Sequence, residues 1–206
     1  MRNRMQNIIL SGCLLFAAGS AMAEDIAAAV KARLADVAVV RGDFEQQKTL
    51  AGFRKPAVSR GDFVIARDRG VLWVTKSPFS GSLRLTRNEI VARTGDQQTM
   101  RLTASEQPGM QSVSRLLFGL LSGDLAPLAD SFEIAGELRG AQGWQLALTP
   151  KTPALQKMFK RIDLEGDRYV RRVKLAEASG DSTDIRLSNV GSQPATLTPD
   201  EVKRFE

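Results

Sequence analysis

The sequence predicts a mainly β protein with a few helices, and three observations carry that expectation. From Val40 onward, apolar residues recur at every second position over short runs. Gly, Asn, Asp and Pro punctuate those runs at regular intervals. A period near 3.6 is confined to Glu24–Val39 and Ser112–Gly123, with a few single turns elsewhere. Runs of this kind predict an antiparallel meander, arranged as a barrel or a sandwich.

The first residues read as an export signal. Arg2 and Arg4 precede an apolar run from Ile8 to Ala18, and Ala21-Met22-Ala23 presents small residues where a signal peptidase cuts, so residues 1–23 are expected to be removed. The run is shorter than the ~20 apolar residues of a membrane span. Leu10-Ser11-Gly12-Cys13 is similar to a lipobox, but only Ile8, Ile9 and Leu10 would stand before it as the apolar core. Cleavage after Ala23, into the periplasm, is therefore the expectation, with acylation of Cys13 as the alternative.

The remaining chain, residues 24–206, reads as one domain. Ile26, Val30, Leu34 and Val37 form the stripe of an amphipathic helix over Glu24–Val39. Val40, Gly42, Phe44 and Gln46 then share one face of a strand, with Arg41, Asp43, Glu45 and Gln47 on the other. Gly52 to Pro56 breaks it. A second strand puts Phe63, Ile65 and Arg67 on one side, and Asp68-Arg69-Gly70 makes a hairpin turn. Val71 to Thr75 is apolar on both sides, as in a covered strand. Leu83 and Leu85, Ile90 to Arg93, and Thr99 to Thr103 continue the meander.

Ser112–Gly123 interrupts it with an apolar helix whose face carries Val113, Leu116, Leu117, Leu120 and Leu121, and Asp124–Asp130 forms a short second helix. Strands resume around Phe132 and Ile134, then Trp144, Leu146 and Leu148. Pro153–Phe159 reads as one or two helical turns. Ile162 and Leu164, Val173 and Leu175, and Ile185 and Leu187 mark three further strands. The end after Gly191 is a short polar tail, in which Pro199 opens a frayed helix. Arg41-Gly42-Asp43-Phe44 recurs as Arg60-Gly61-Asp62-Phe63, two similar strand segments rather than a repeat architecture.

Chemistry is hard to find in these residues. The sequence has no His and one Cys, which leaves with the signal, so the commonest general base, metal ligand and thiol nucleophile are missing. No nucleophile elbow or phosphate-binding Gly-rich loop occurs. Asp43, Glu45, Asp62, Glu133, Glu137 and Asp163 alternate with apolar residues and belong on solvated faces. With only 2 Trp and 1 Tyr, platforms for sugars are scarce. Neither an enzyme nor a cofactor or metal site is expected. The net charge of +6 comes from scattered basic residues, which favours an anionic membrane face or an acidic partner over nucleic acid. Periodicity leaves open whether the concave face of the meander is filled as an ordinary core or lidded over a cavity.

The order of motifs resembles the periplasmic outer-membrane lipoprotein carrier family (LolA-like). A short helix is followed by Gly42-x-Phe44-x-Gln46, then Ser59-x-Gly61-x-Phe63-x-x-x-Arg67, then Trp73, Pro78, an apolar helix and Trp144-x-Leu146-x-Leu148-x-Pro150. The resemblance implies an incomplete, curved antiparallel β-barrel with a helical lid over an apolar cavity. It implies a lipid-cavity lining of Phe44, Phe63, Ile65, Trp73, Leu83, Leu85, Leu116, Leu117 and Leu120, and Arg67 as a latch to the lid. It further implies a monomer that carries a lipid or lipidated protein between an inner-membrane exporter and an outer-membrane acceptor, with transient membrane contact. An acylated receptor at the outer membrane and a structural or assembly protein with a closed β core are the alternatives. Asp68 stands where the family often has Pro, and the tail is short. The cargo is therefore open among a lipoprotein, a glycolipid and another exported lipid.

Overall fold

The computed structural model describes residues 18–95, 97–103 and 128–206, with side chains from residue 26 onward. Eleven strands form one antiparallel sheet: β1 Val39–Thr49, β2 Ala57–Ala66, β3 Gly70–Ser77, β4 Gly81–Leu85, β5 Glu89–Thr94, β6 Gln97–Thr103, β7 Phe132–Arg139, β8 Gly143–Pro150, β9 Phe159–Gly166, β10 Val170–Glu177 and β11 Ser182–Gly191. The helices are α1 Ala18–Arg33, α2 Pro153–Gln156 and α3 Pro199–Arg204.

Two meanders make up the sheet. The first runs from β1 outward to β6, and the second from β7 inward to β11, which pairs with β1. The spatial order β6-β5-β4-β3-β2-β1-β11-β10-β9-β8-β7 leaves β6 and β7 at the edges, so the sheet is not closed. The predicted mainly β, incompletely closed architecture is what the chain adopts. The Ser112–Gly123 helix, with Leu116, Leu117 and Leu120, lies outside the described residues.

α1 ends earlier than its apolar stripe suggests. Leu34 N still donates to Val30 O at 3.1 Å, but Ala35 N donates to Arg168 O at 2.8 Å in the β9–β10 turn. The β-branched Val37, Val39 and Val40 then favour an extended chain, and Val39 enters β1. α1 packs against β7, and its fully buried Val30 joins Phe132 and Ile134 of β7 in one cluster with Leu146, Leu148, Ile162 and Leu164 of β8 and β9. Each such side chain contributes about 1.5–3 kcal/mol when removed from water.

The other half of the same face holds a second apolar cluster, described below. On the outer face, Val39, Val64, Ala66 and Leu72 form a third cluster under Phe205. That cover explains why β3 is apolar on both sides. It also changes the reading of the tail. α3 is not frayed: Thr198 and Glu201 form a capping box, and Phe205 beyond its end is buried. Arg41 on β1 clasps Glu201 through Nε at 2.7 Å and Nη2 at 2.6 Å, and also donates to Pro194 O and Thr196 O. The polar appearance of 192–206 comes from residues spent on this docking.

Candidate functional site

Phe44, Phe63, Ile65 and Leu85 are buried together on the inner face with Val40 and Val71, and the half-buried Trp73 and Leu83 pack against them. Six of the nine cavity residues expected from the sequence thus form one contiguous apolar floor across β1 to β4. The floor is shaped by two glycines. Phe44 pairs with Gly61 and Phe63 with Gly42 across β1 and β2. Where a Cβ would stand on Gly42, the Phe63 ring lies 2.9 Å away; at Gly61, the Phe44 ring lies 2.8 Å away. Each ring therefore fills the space that the opposite residue leaves vacant. Trp73 then stacks on Phe44, centroids 3.9 Å apart, and on Phe63 at 5.9 Å.

Beside this aromatic floor, a shallow pocket of about 380 Å³, counted to its open mouth, lies on the inner face where the two halves of the sheet meet. Phe63 and Ile65 of β2 meet Val40, Leu187 and Val190 there, under Leu34 and Ala35 at the end of α1 and Tyr169 of the β9–β10 turn. Sequence reasoning did not assign Leu34, Tyr169 or Val190 to the site. Leu34 and Val40 were legible as apolar faces of their elements. Tyr169 and Val190 lie at turns and strand ends, where no period marks them.

Arg67 follows β2 directly and, although it does not line the pocket, bonds to the segment after α1. Its backbone N donates to Ala38 O at 2.9 Å, and Nη2 donates to Val37 O at 3.0 Å and to the Asp36 carboxylate. Nε is buried and, among the described residues, has no hydrogen-bond partner. The guanidinium thus ties β2 to the 34–38 segment that roofs the pocket. Asp36 is 89 % exposed, so the ion pair itself is well screened and the carbonyl bond is the more sheltered contact.

The carboxylates expected on solvated faces lie on the sheet surface, and Asp43, Glu45, Asp62, Glu137 and Asp163 have partners there. Asp43 and Asp62 face each other across β1 and β2 on the outer face. Asn189 donates to Asp43 at 2.7 Å, and Lys76 lies 2.5 Å from Asp62, whose hydrogen bond raises the Lys76 pKa. Glu45 is held below its usual value by Gln47 first and Arg60 second. These are sheet-surface pairs, on the opposite face of the strands that carry the inner apolar floor.

Residues 35–202 match the family model described as outer membrane lipoprotein carrier protein LolA. The chain belongs to this family. No curated protein matches the chain. Among solved structures, a LolA superfamily protein from Nitrosomonas europaea is similar at 10 % identity and TM-score 0.47, with 88 % of this chain and 96 % of that chain covered. A putative outer membrane lipoprotein-sorting protein domain from Vibrio parahaemolyticus is similar at 12 % identity and TM-score 0.49, covering 87 % and 96 %. The Pseudomonas aeruginosa MucA/MucB complex is a more remote likeness, at 16 % identity and TM-score 0.34 over 90 % and 60 %. Membership in the LolA family therefore rests on the match over residues 35–202.

Proposed function

We propose that this LolA-family protein is a periplasmic carrier, not an enzyme, that holds the acyl chains of a lipoprotein or another lipid on its inner face and moves it from the inner to the outer membrane. The observation that carries the reading is the continuous apolar floor of Phe44, Phe63, Ile65, Trp73, Leu83 and Leu85 beside an open pocket. In this reading residues 1–23 are an export signal cleaved after Ala23, and the exporter and acceptor are membrane proteins at either end of the route.

The pocket is too shallow for a whole acyl chain, so cargo has to widen it. The roof that must move is the 34–38 segment, and Arg67 is what ties it down. Arg67 is accordingly the latch. Among the described residues Nε is buried without a partner, so the tie to the 34–38 segment rests on Nη2 alone and costs less to open than a fully bonded guanidinium. Burial of acyl chain at ~0.8 kcal/mol per CH₂ offsets that cost. A small balance between the two is what loading and release both require.

The test is native mass spectrometry of protein purified from the periplasm, followed by titration with a fluorescent fatty acid. Co-purified acyl species and saturable probe binding are the expected results. A protein that emerges cargo-free and binds no probe overturns the reading in favour of a structural protein with a closed core.

A further inference from the structure

The two ends of the sheet differ in chemistry. At one end lie the β1–β2 loop, the β3–β4 turn, the β10–β11 turn and the α2–β9 connection. These segments expose Phe79 at 83 %, Phe53 at 68 %, Leu50 at 43 % and Met158 at 41 %. The first two tips emerge only two strand spacings apart, about 10 Å. Basic residues flank them: Arg54 and Lys55 follow Phe53, and Lys157 and Lys160 bracket Met158, all four exposed. No Asp or Glu occurs in residues 50–61, 76–82 or 151–162. Among the described acidic residues of this end, Glu177 and Asp181 are engaged by Lys48, and Asp181 also accepts from Ala51 N at 2.8 Å, while exposed Asp130 and Glu133 stand at the β7 edge of the sheet. The turns at the opposite end, residues 67–69, 86–88, 140–142 and 167–169, contain no Phe, Leu, Met, Ile, Val or Trp, and there Arg67, Arg69, Arg87 and Arg168 are mixed with Asp68 and Asp167, so the ends differ in their apolar tips rather than in basic charge.

Three of these segments, those carrying Leu50, Phe53 and Met158 and the β10–β11 turn between them, are also linked by hydrogen bonds, with the Phe79 turn standing beside them. Phe53 N donates to Leu50 O at 3.0 Å, Ala51 binds Asp181 of the β10–β11 turn, and Ala178 N of that turn donates to Met158 O at 3.0 Å. Large side chains pointing into water from this rim of the sheet are costly unless something covers them. Exposed apolar tips in segments whose own charged residues, Arg54, Lys55, Lys157 and Lys160, are all basic match a surface with an apolar interior and anionic headgroups.

We infer that this rim, with Phe53 and Phe79 as its insertion points and Arg54, Lys55, Lys157 and Lys160 as its electrostatic contacts, docks the protein transiently on an anionic phospholipid bilayer. The docking surface goes beyond the carrier reading and does not depend on the inner cavity. Headgroup phosphates meet the basic residues, while the two rings enter the headgroup–acyl boundary. Attraction of this kind is reversible and salt-sensitive, which suits a protein that must leave the membrane again.

The experiment is vesicle flotation of the purified protein with phosphatidylglycerol-containing and with pure phosphatidylcholine vesicles, at low and at moderate salt. The expected result is salt-sensitive flotation with the anionic vesicles alone. The Phe53→Ser/Phe79→Ser and Arg54→Glu/Lys55→Glu variants are each expected to lose about tenfold or more in partitioning. Equal flotation with both lipids, no flotation with either, or undiminished binding by folded variants overturns the proposal. So does binding only to native membrane vesicles that protease treatment abolishes, which points to a protein partner. Unchanged circular dichroism and fatty-acid probe binding by the Phe53→Ser/Phe79→Ser variant keep the readout separate from folding and from the cavity. Probe binding that fails in the unmutated protein while flotation persists removes the carrier reading and leaves the docking surface standing.

Discussion

The ring of Phe44 lies where a side chain at Gly61 would stand, with Phe44 Cε1 2.8 Å from the position of that missing Cβ. Phe63 has the same relation to Gly42. The duplicated Arg-Gly-Asp-Phe segments therefore pair with each other, antiparallel and centred on Asp43 opposite Asp62. Each copy supplies the gap that the other copy's ring fills. This accounts for the recurrence without any repeat architecture, and it makes the glycines part of the apolar floor.

Replacing Gly61 by Ala should accordingly be severe. The new methyl would meet the Phe44 ring and, more closely still, the Val74 carbonyl of β3, and backbone in a central sheet cannot yield cheaply. The expected cost is about 2–4 kcal/mol. Gly191→Ala is the control, because nothing lies within 4 Å of the point where its Cβ would stand, and it should stay within about 0.5 kcal/mol. Urea unfolding of both variants checks the contrast. Equal stabilities would mean that the ring-over-glycine packing is loose.

Trp73 should report on the same floor. It is half-buried and stacked on Phe44, whereas Trp144 is buried and donates to Asp167 O at 2.7 Å. Phe44→Leu removes the stacked ring and leaves an incompletely filled space, for about 1–3 kcal/mol of stability. Emission from Trp73, read in a Trp144→Phe background, should shift to the red as water approaches its exposed face. Addition of a fatty acid should reverse that shift. An emission maximum indifferent to both changes would place cargo elsewhere.

Much of this floor was legible because alternation survives wherever one sheet face is apolar. Phe44, Phe63, Ile65 and Leu85 sit at period two, and the turn residues around them mark the strand ends. Pairing across the sheet leaves no comparable trace. That β11 joins β1, bringing Leu187 and Val190 beside Val40, is a long-range event between two meanders, and the local pattern of neither encodes it. The docking of the tail is hidden for a related reason. Its one buried side chain, Phe205, stands among charged residues, and Arg41 looks like any solvated strand residue until Glu201 arrives 160 positions later.

That tail clasp should be acid-sensitive. The Arg41 guanidinium first, then the Thr198 amide, hold the Glu201 carboxyl down to about 2 from its ordinary 4.5. A carboxyl depressed on folding contributes stability that is fully present above its unfolded value and is lost as pH falls toward the folded one. The window here is roughly pH 5 to pH 2. The carboxylate is 12 % exposed, and with solvent screening the contribution is about 2 kcal/mol at neutral pH. Glu201→Gln should therefore lower the thermal midpoint at pH 7, with the gap to the unmutated protein closing as pH approaches 2. A gap constant with pH would mean that Phe205, rather than the Arg41–Glu201 pair, anchors the tail.

Arg67→Leu tests the latch and separates it from general stability. The substitution removes the donors to Val37 O and the Asp36 carboxylate but keeps the backbone bond from residue 67 to Ala38 O, so β2 and β1 stay in register. It also removes an Nε that is buried and, among the described residues, without a partner, which should repay part of what the lost bonds cost, and the net stability change should stay within about 1 kcal/mol. The functional effect should be larger. With the empty closed state no longer held together, the loaded state gains relative weight, so probe should bind more tightly and leave more slowly, by about five- to tenfold for a coupling of about 1–1.4 kcal/mol. Transfer of a fluorescent acyl cargo from the protein to acceptor vesicles, followed in time, measures this. Asp36→Asn should give a smaller effect in the same direction, since that carboxylate is almost fully solvated. Unchanged transfer with Arg67→Leu would show that the 34–38 segment opens freely and that Arg67 merely trims the end of β2.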